Sequence, residues 1–69
     1  MNEKLRINVG FIIIAAERMS SDTEVVLGFN PLTGQYATWM CVDGDNYFWG
    51  HYGTSFFKAS DDFRRRCSR

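Results

Sequence analysis

The side chains of this 69-residue chain that could do covalent or acid–base chemistry are one histidine, two cysteines and eight acidic groups. Catalysis needs a base placed beside a nucleophile, or a metal. His51 stands in the run Tyr47-Phe48-Trp49-Gly50-His51-Tyr52, where a histidine among aromatics reads as a packed or hydrogen-bonded side chain rather than a base. Cys41 falls in an apolar strand, where a thiol is inert. Cys67 follows Arg64-Arg65-Arg66; the arginines favour a thiolate, but the negative end of a helix opposes it. No CxxC or HxxxC spacing is present, so neither a metal site nor a cofactor is expected. Asp43 and Asp45 read as turn residues, and Asp61 and Asp62 as helix-surface residues. The chain is expected not to be an enzyme.

The residues that could bind are aromatic and basic. Tyr36-Ala37-Thr38-Trp39-Met40-Cys41-Val42, the turn Asp43-Gly44-Asp45-Asn46 and Tyr47 to Tyr52 read as one β-hairpin. A type II′ turn at Gly44-Asp45 wants glycine first. It pairs Val42 with Tyr47, Cys41 with Phe48, Met40 with Trp49, Trp39 with Gly50 and Thr38 with His51. A five-residue turn at 31–35 pairs Phe29 with Ala37 and Leu27 with Trp39. One face then collects Val25, Leu27, Phe29, Ala37, Trp39, Cys41, Phe48, Gly50 and Tyr52. The other collects Val26, Thr38, Met40, Val42, Tyr47, Trp49 and His51. A slip of one residue exchanges the faces.

The elements that must position these residues are short. Strands are expected at about 10–17, 24–30, 36–43 and 46–52, from apolar β-branched runs bounded by Ser20-Ser21-Asp22-Thr23 and by Asn30-Pro31-Leu32-Thr33-Gly34. Residues 1–9 are a lead-in or a frayed edge strand. After Gly53 the apolar period lengthens: Phe56, Ala59, Phe63 and Cys67 form one stripe of a helix at about 55–67. Thr54 or Ser55 can cap its start. Asp61 with Arg65 and Asp62 with Arg66 stand four apart, acid first, the favourable order. The expected fold class is α+β: a single domain over 1–69, a four-stranded antiparallel meander packed on one C-terminal helix. One helix covers one face of a sheet, and the face with Trp39 is the expected core, against Phe56, Ala59, Phe63 and Cys67. The face with Val26, Met40, Val42, Tyr47, Trp49 and His51 is left as the expected interaction surface, because a large uncovered apolar patch marks such a site.

Composition narrows the partners. Eight basic and eight acidic side chains cancel, which argues against a dedicated nucleic-acid-coating protein and leaves little repulsion against self-association. A chain of this size buries only about 60% of its unfolded surface, so its eleven aromatic residues are needed in packing. The apolar stretch Val9 to Ala16 is too short to span a bilayer and a poor match to a signal peptide. A cytoplasmic protein with reduced thiols and no membrane association is expected. Three readings stay open. The leading one is protein–protein interaction through the second face. A single-strand nucleic-acid binder would stack bases on the sheet aromatics and hold phosphates with Arg64, Arg65, Arg66 and Arg69. A structural homodimer would cover the same face with a second copy.

The motifs Tyr36-Ala37-Thr38-Trp39, Tyr47-Phe48-Trp49-Gly50-His51-Tyr52, Ala59 and Asp62-Phe63-Arg64 carry a resemblance over roughly the C-terminal half. The chain resembles a group of small proteins, without an assigned activity, carried by mobile elements and gut bacteria of the Gram-positive Firmicutes. Members read Tyr-Val-Thr-Trp, then Tyr-Trp-Gly-His-Tyr-Phe, then an acidic helix with an Asp-Phe pair. Ala37, Gly53 and the helix start Ser55-Phe56-Phe57 depart from that pattern. The resemblance implies a mobile-element accessory protein. Proteins of that setting include inhibitors of host defence enzymes such as CRISPR nucleases. With its charges balanced, an inhibitor of this kind would wedge its aromatic face into a protein cleft rather than mimic DNA.

Overall fold

Turn chemistry sets the registers, and the registers decide which face each side chain occupies. The computed structural model describes residues 5–68. In chain order these residues form β1 (Ile7–Asn8), β2 (Phe11–Arg18), β3 (Thr23–Asn30), β4 (Gln35–Val42), β5 (Asn46–Gly53) and α1 (Phe56–Cys67). The strands lie in that same order in one sheet, and every neighbouring pair is antiparallel. The class is α+β, as expected, but with five strands rather than four. The lead-in supplies β1, whose Ile7 and Asn8 pair with Ile12 and Phe11 around a two-residue turn. Val9 and Gly10 take φ of 44° and 89° there, as such a turn demands at both positions.

The β3–β4 connection is one residue shorter than expected. Asn30, buried, closes it from within. Its Oδ1 accepts from the Leu32 N–H at 2.9 Å, and its carbonyl accepts from the Gly34 N–H at 2.8 Å. Gly34 supplies the left-handed residue, φ 76°. Asn30 therefore pairs with Gln35, Phe29 with Tyr36, Leu27 with Thr38 and Val26 with Trp39. The expected pairs of Phe29 with Ala37 and Leu27 with Trp39 are corrected by one residue.

The β4–β5 connection is one residue longer. Asp43 and Gly44 both take positive φ, 57° and 82°, and Val42 pairs with Asn46, Cys41 with Tyr47 and Met40 with Phe48. A bulge then sets Trp49 and Gly50 against Trp39, and the expected pair Thr38–His51 is recovered. Two irregularities of one residue cancel.

The consequence is an exchange of faces within β4. Val25, Leu27 and Phe29 lie beneath the helix as expected, but their companions there are Tyr36, Thr38 and Met40 rather than Ala37, Trp39 and Cys41. The helix packs on β3, β4 and β5; Phe56 meets Tyr36 edge-on at 5.4 Å between centroids. On the opposite face Phe11, Val26, Ala37, Trp39 and Cys41 form the buried core, with Ile13 and Tyr47 against it. Among the described residues, no helix covers that face. The sheet curls into a half-barrel and covers it with its own edges: Phe11 of β2 and Tyr52 of β5 stand 5.8 Å apart, and Trp39 meets both edge-on, at 5.2 and 5.7 Å. The indole of Trp39, 2% exposed, lies across two glycines. A Cβ on Gly28 would stand 3.1 Å from its ring, and a Cβ on Gly50 would stand 2.6 Å from its Nε1. The buried Nε1–H donates to the Tyr52 hydroxyl at 3.0 Å. Among the described residues, no helix is long and apolar enough to cross a membrane.

Candidate functional site

The six residues expected to share an interaction face do not share one. Val26 is fully buried in the half-barrel. Tyr47 lies inside it too, 5.8 Å from Trp39 between ring centroids, with the Arg6 guanidinium 5.9 Å over its ring. Both keep the face opposite the helix; the shift of β4 brings Ala37, Trp39 and Cys41 onto that face, and the curl of the sheet buries it. Val42 is half-buried at the end of β4. Met40, Trp49 and His51 are on the helix side, and of these Met40 and Trp49 come together.

Met40 and Trp49 line an open groove with Met19, Ser20, Thr23 and Arg66. It opens beyond the C-terminal end of α1, against the β2–β3 connection. Trp49 is 73% exposed, and its ring leans edge-on against Phe48 at 5.0 Å. Its backbone takes φ 57°, a left-handed conformation that a bulky residue adopts only at a cost. The bulge forces it: Gly50, pressed against Trp39, is fixed by the core, so the extra residue and its positive φ fall on Trp49. Arg66 then holds the bulge from the helix, its Nη2–H donating to the Trp49 carbonyl at 2.6 Å. Sequence reasoning missed Met19, which stands between Arg18 and Ser20 with no periodicity to mark it. It assigned Arg66 to phosphate rather than to the bulge. The Trp49-Gly50 dipeptide inside a strand was the one available signal, because an isolated strand glycine marks a bulge or a close backbone approach.

A polar cluster joins helix to sheet beside this groove. Asp62 Oδ2 accepts from the Thr38 hydroxyl at 2.5 Å and lies 2.9 Å from His51 Nδ1 and 3.6 Å from Arg66 Nε. Thr38 is 1% exposed. Burial pushes the Asp62 carboxyl up. The bonds from Thr38 and His51 and the charges of His51 and Arg66 outweigh that and hold it below its usual range.

At the other end of the barrel, Arg6 bridges Glu24 at 2.9 Å and reaches the Tyr47 hydroxyl at 3.3 Å and the Gly44 carbonyl at 3.4 Å. Burial disfavours the Arg6 charge, yet its bonds to Glu24 and Tyr47 prevail and raise its pKa. Burial raises both thiols, Cys41 and Cys67.

Of the arginines expected at phosphate, Arg64 and Arg65 pair within the helix and Arg66 bridges helix and sheet. Arg64 and Arg65 lie 3.9 and 2.5 Å from Asp61, and Arg66 is shared among Asp62, His51 and Trp49. Arg69 lies outside the described residues. Among the described residues, no three His, Cys, Asp or Glu side chains come together as a metal-binding group. Compared with known proteins, the chain matches no family model, no curated protein and no solved structure.

Proposed function

We propose that this chain is a protein-interaction module whose contact surface is Trp49 and the groove of Met19, Met40 and Arg66 beside it. The observation that carries this is a tryptophan held 73% exposed at φ 57°. Strained backbone persists where its surroundings over-determine it and clusters at functional sites. Trp, Met and Arg are also the types enriched in the cores of protein interfaces, and methionines adapt their shape to a partner's side chain. The groove suits one apolar side chain of a partner, with the Trp49 ring against it. Accessory service to a mobile element, including inhibition of a host defence enzyme such as a CRISPR nuclease, is a narrower form of the same proposal. It is supported by the sequence resemblance alone.

Trp49→Gly tests the proposal, because glycine accepts a positive φ without strain. Relief of the left-handed backbone and loss of packing on Phe48 oppose each other, so stability stays within about 1 kcal/mol of the parent. Binding falls about thirtyfold or more, as for a central interface tryptophan. The measurement is capture from host lysate by the tagged chain, with nuclease and at two salt concentrations, beside urea unfolding of both proteins. A protein retained by the parent and lost by Trp49→Gly supports the proposal. Capture of nucleic acid alone, released by salt as phosphate contacts are, refutes it.

A further inference from the structure

His51 Nδ1 stands 2.9 Å from Asp62 Oδ2 and 2.7 Å from Arg66 Nη2. Those contacts exclude each other. A ring nitrogen carries either a proton, which suits the carboxylate, or a lone pair, which suits the guanidinium. Arg66 is charged throughout, so the proton on His51 decides which neighbour it holds. The same Arg66 nitrogen donates to the Trp49 carbonyl at 2.6 Å. With a lone pair at Nδ1, one N–H of Arg66 Nη2 points to the ring and the other to Trp49, and the guanidinium is fixed at both. With a proton there, Nδ1–H turns to Asp62, and the imidazolium repels the guanidinium that holds the bulge.

We propose that His51 is a proton-operated latch on the Trp49 surface. The neutral ring, protonated at Nε2, locks Arg66 onto the Trp49 carbonyl and presents the indole rigidly; the protonated ring transfers to Asp62 and frees the bulge. This rests on the reading of Trp49 as the contact residue. The groups facing His51 are placed to act in this way. Asp62 and Arg66 reach it from α1, and Lys58 lines the same cavity from that helix. Thr38 of β4 holds the far side of Asp62. Tyr36 and Tyr52 line the cavity from the two strands. Asp62 is the only carboxylate among them and Arg66 the nearer cation, so adding a proton to His51 moves it from one to the other.

The chain has one histidine and two tryptophans, so nitrogen-15 magnetic resonance of the uniformly labelled full chain between pH 8 and pH 5 reads the latch directly. Ring nitrogen shifts at high pH are expected to show Nδ1 unprotonated. On acidification the backbone amides of Trp49 and Gly50 are expected to loosen, their order parameters falling from about 0.85 toward 0.6. The Trp39 indole, bonded to Tyr52 in the core, stays unchanged and serves as the internal reference for the fold. His51→Gln is expected to abolish the pH dependence, and Arg66→Gln to leave the bulge loose at every pH. A neutral ring protonated at Nδ1, or loosening that persists in His51→Gln, overturns the latch. The measurement needs no partner, so failure of lysate capture and failure of the latch are separate results.

Discussion

Trp49 and Gly50 are neighbours in β5 under opposite constraints. Gly50 has no freedom of identity, because any Cβ there would meet the Trp39 indole at 2.6 and 2.8 Å and the Tyr52 ring at 2.8 Å. The obstacle is a ring that is itself wedged over Gly28 and edge-on to Phe11, so it cannot yield cheaply. Gly50→Ala is therefore expected to destabilise the chain by about 1–3 kcal/mol, the usual cost of overpacking a core. The midpoint of urea unfolding measures it; an unchanged midpoint would show that Trp39 moves aside and that the half-barrel interior is looser than its distances imply. Trp49 is free in identity but not in conformation, and that asymmetry separates a core position from an exposed one within one dipeptide. The same contrast explains why the expected exposure of Trp49 holds for a different physical reason. Trp49 is exposed as expected, but because a bulge turns it outward, not because its whole face is bare.

Elements were more legible than the registers between them. The helix shows its marks in sequence: Ser55 caps it, its side chain accepting from the Lys58 N–H at 3.2 Å, and Asp61–Arg65 and Asp62–Arg66 pair at the spacing read from the chain. Strand runs β2 to β5 were likewise visible in their apolar residues, whereas β1 offers only two paired residues. What the pattern could not settle was turn length. Asn30 closing its own turn from a buried position, and Asp43 accepting a positive φ before Gly44, each move the pairing by one residue, and one residue exchanges the faces. Asp62 shows the cost of that ambiguity: it reads as surface charge on a helix, yet it docks the helix on buried Thr38. Its carboxyl titrates below the ordinary 3.8, so in acid the unfolded chain takes up the proton first. The stability it contributes is complete above that ordinary value and is lost as pH falls through the lower, folded one. Comparing parent and Asp62→Asn by urea unfolding from pH 6 to pH 2.5, the parent's advantage is expected to shrink toward the acid end. An advantage constant with pH would mean that the carboxylate's charge does no docking.

At the scale of the molecule, the half-barrel is closed by side chains where a full barrel would be closed by backbone. No strand pairing joins β1 to β5 in the sheet. Across that seam Arg6 reaches Tyr47 and Gly44 at one end, and Phe11 meets Tyr52 near the other. Between them lies the buried core of Trp39, Val26 and Cys41. So small a core has a narrow margin of stability, and the Trp39 indole, the buried one of the two, lies between the ends of the seam. The two closures share no bond, since Arg6 is tied to Glu24 and Tyr47, and Tyr52 to Trp39. Were they independent, Arg6→Ala and Tyr52→Phe would add in their effects, as distant sites do to within about 0.5 kcal/mol. Cooperative closure predicts otherwise. Tyr52→Phe leaves the Trp39 Nε1–H buried without an acceptor, at a cost of about 1–3 kcal/mol, unless the seam opens and water reaches it. Arg6→Ala loosens the far end and lets that happen. The double variant is therefore expected to be less destabilised than the sum of the single ones, by more than about 0.5 kcal/mol. A double-mutant cycle by urea unfolding measures this. Strict additivity would show two local contacts on a sheet that curls without them, and curvature would then belong to the bulges alone, the one in β5 and a second in β2 between Ile13 and Ala15.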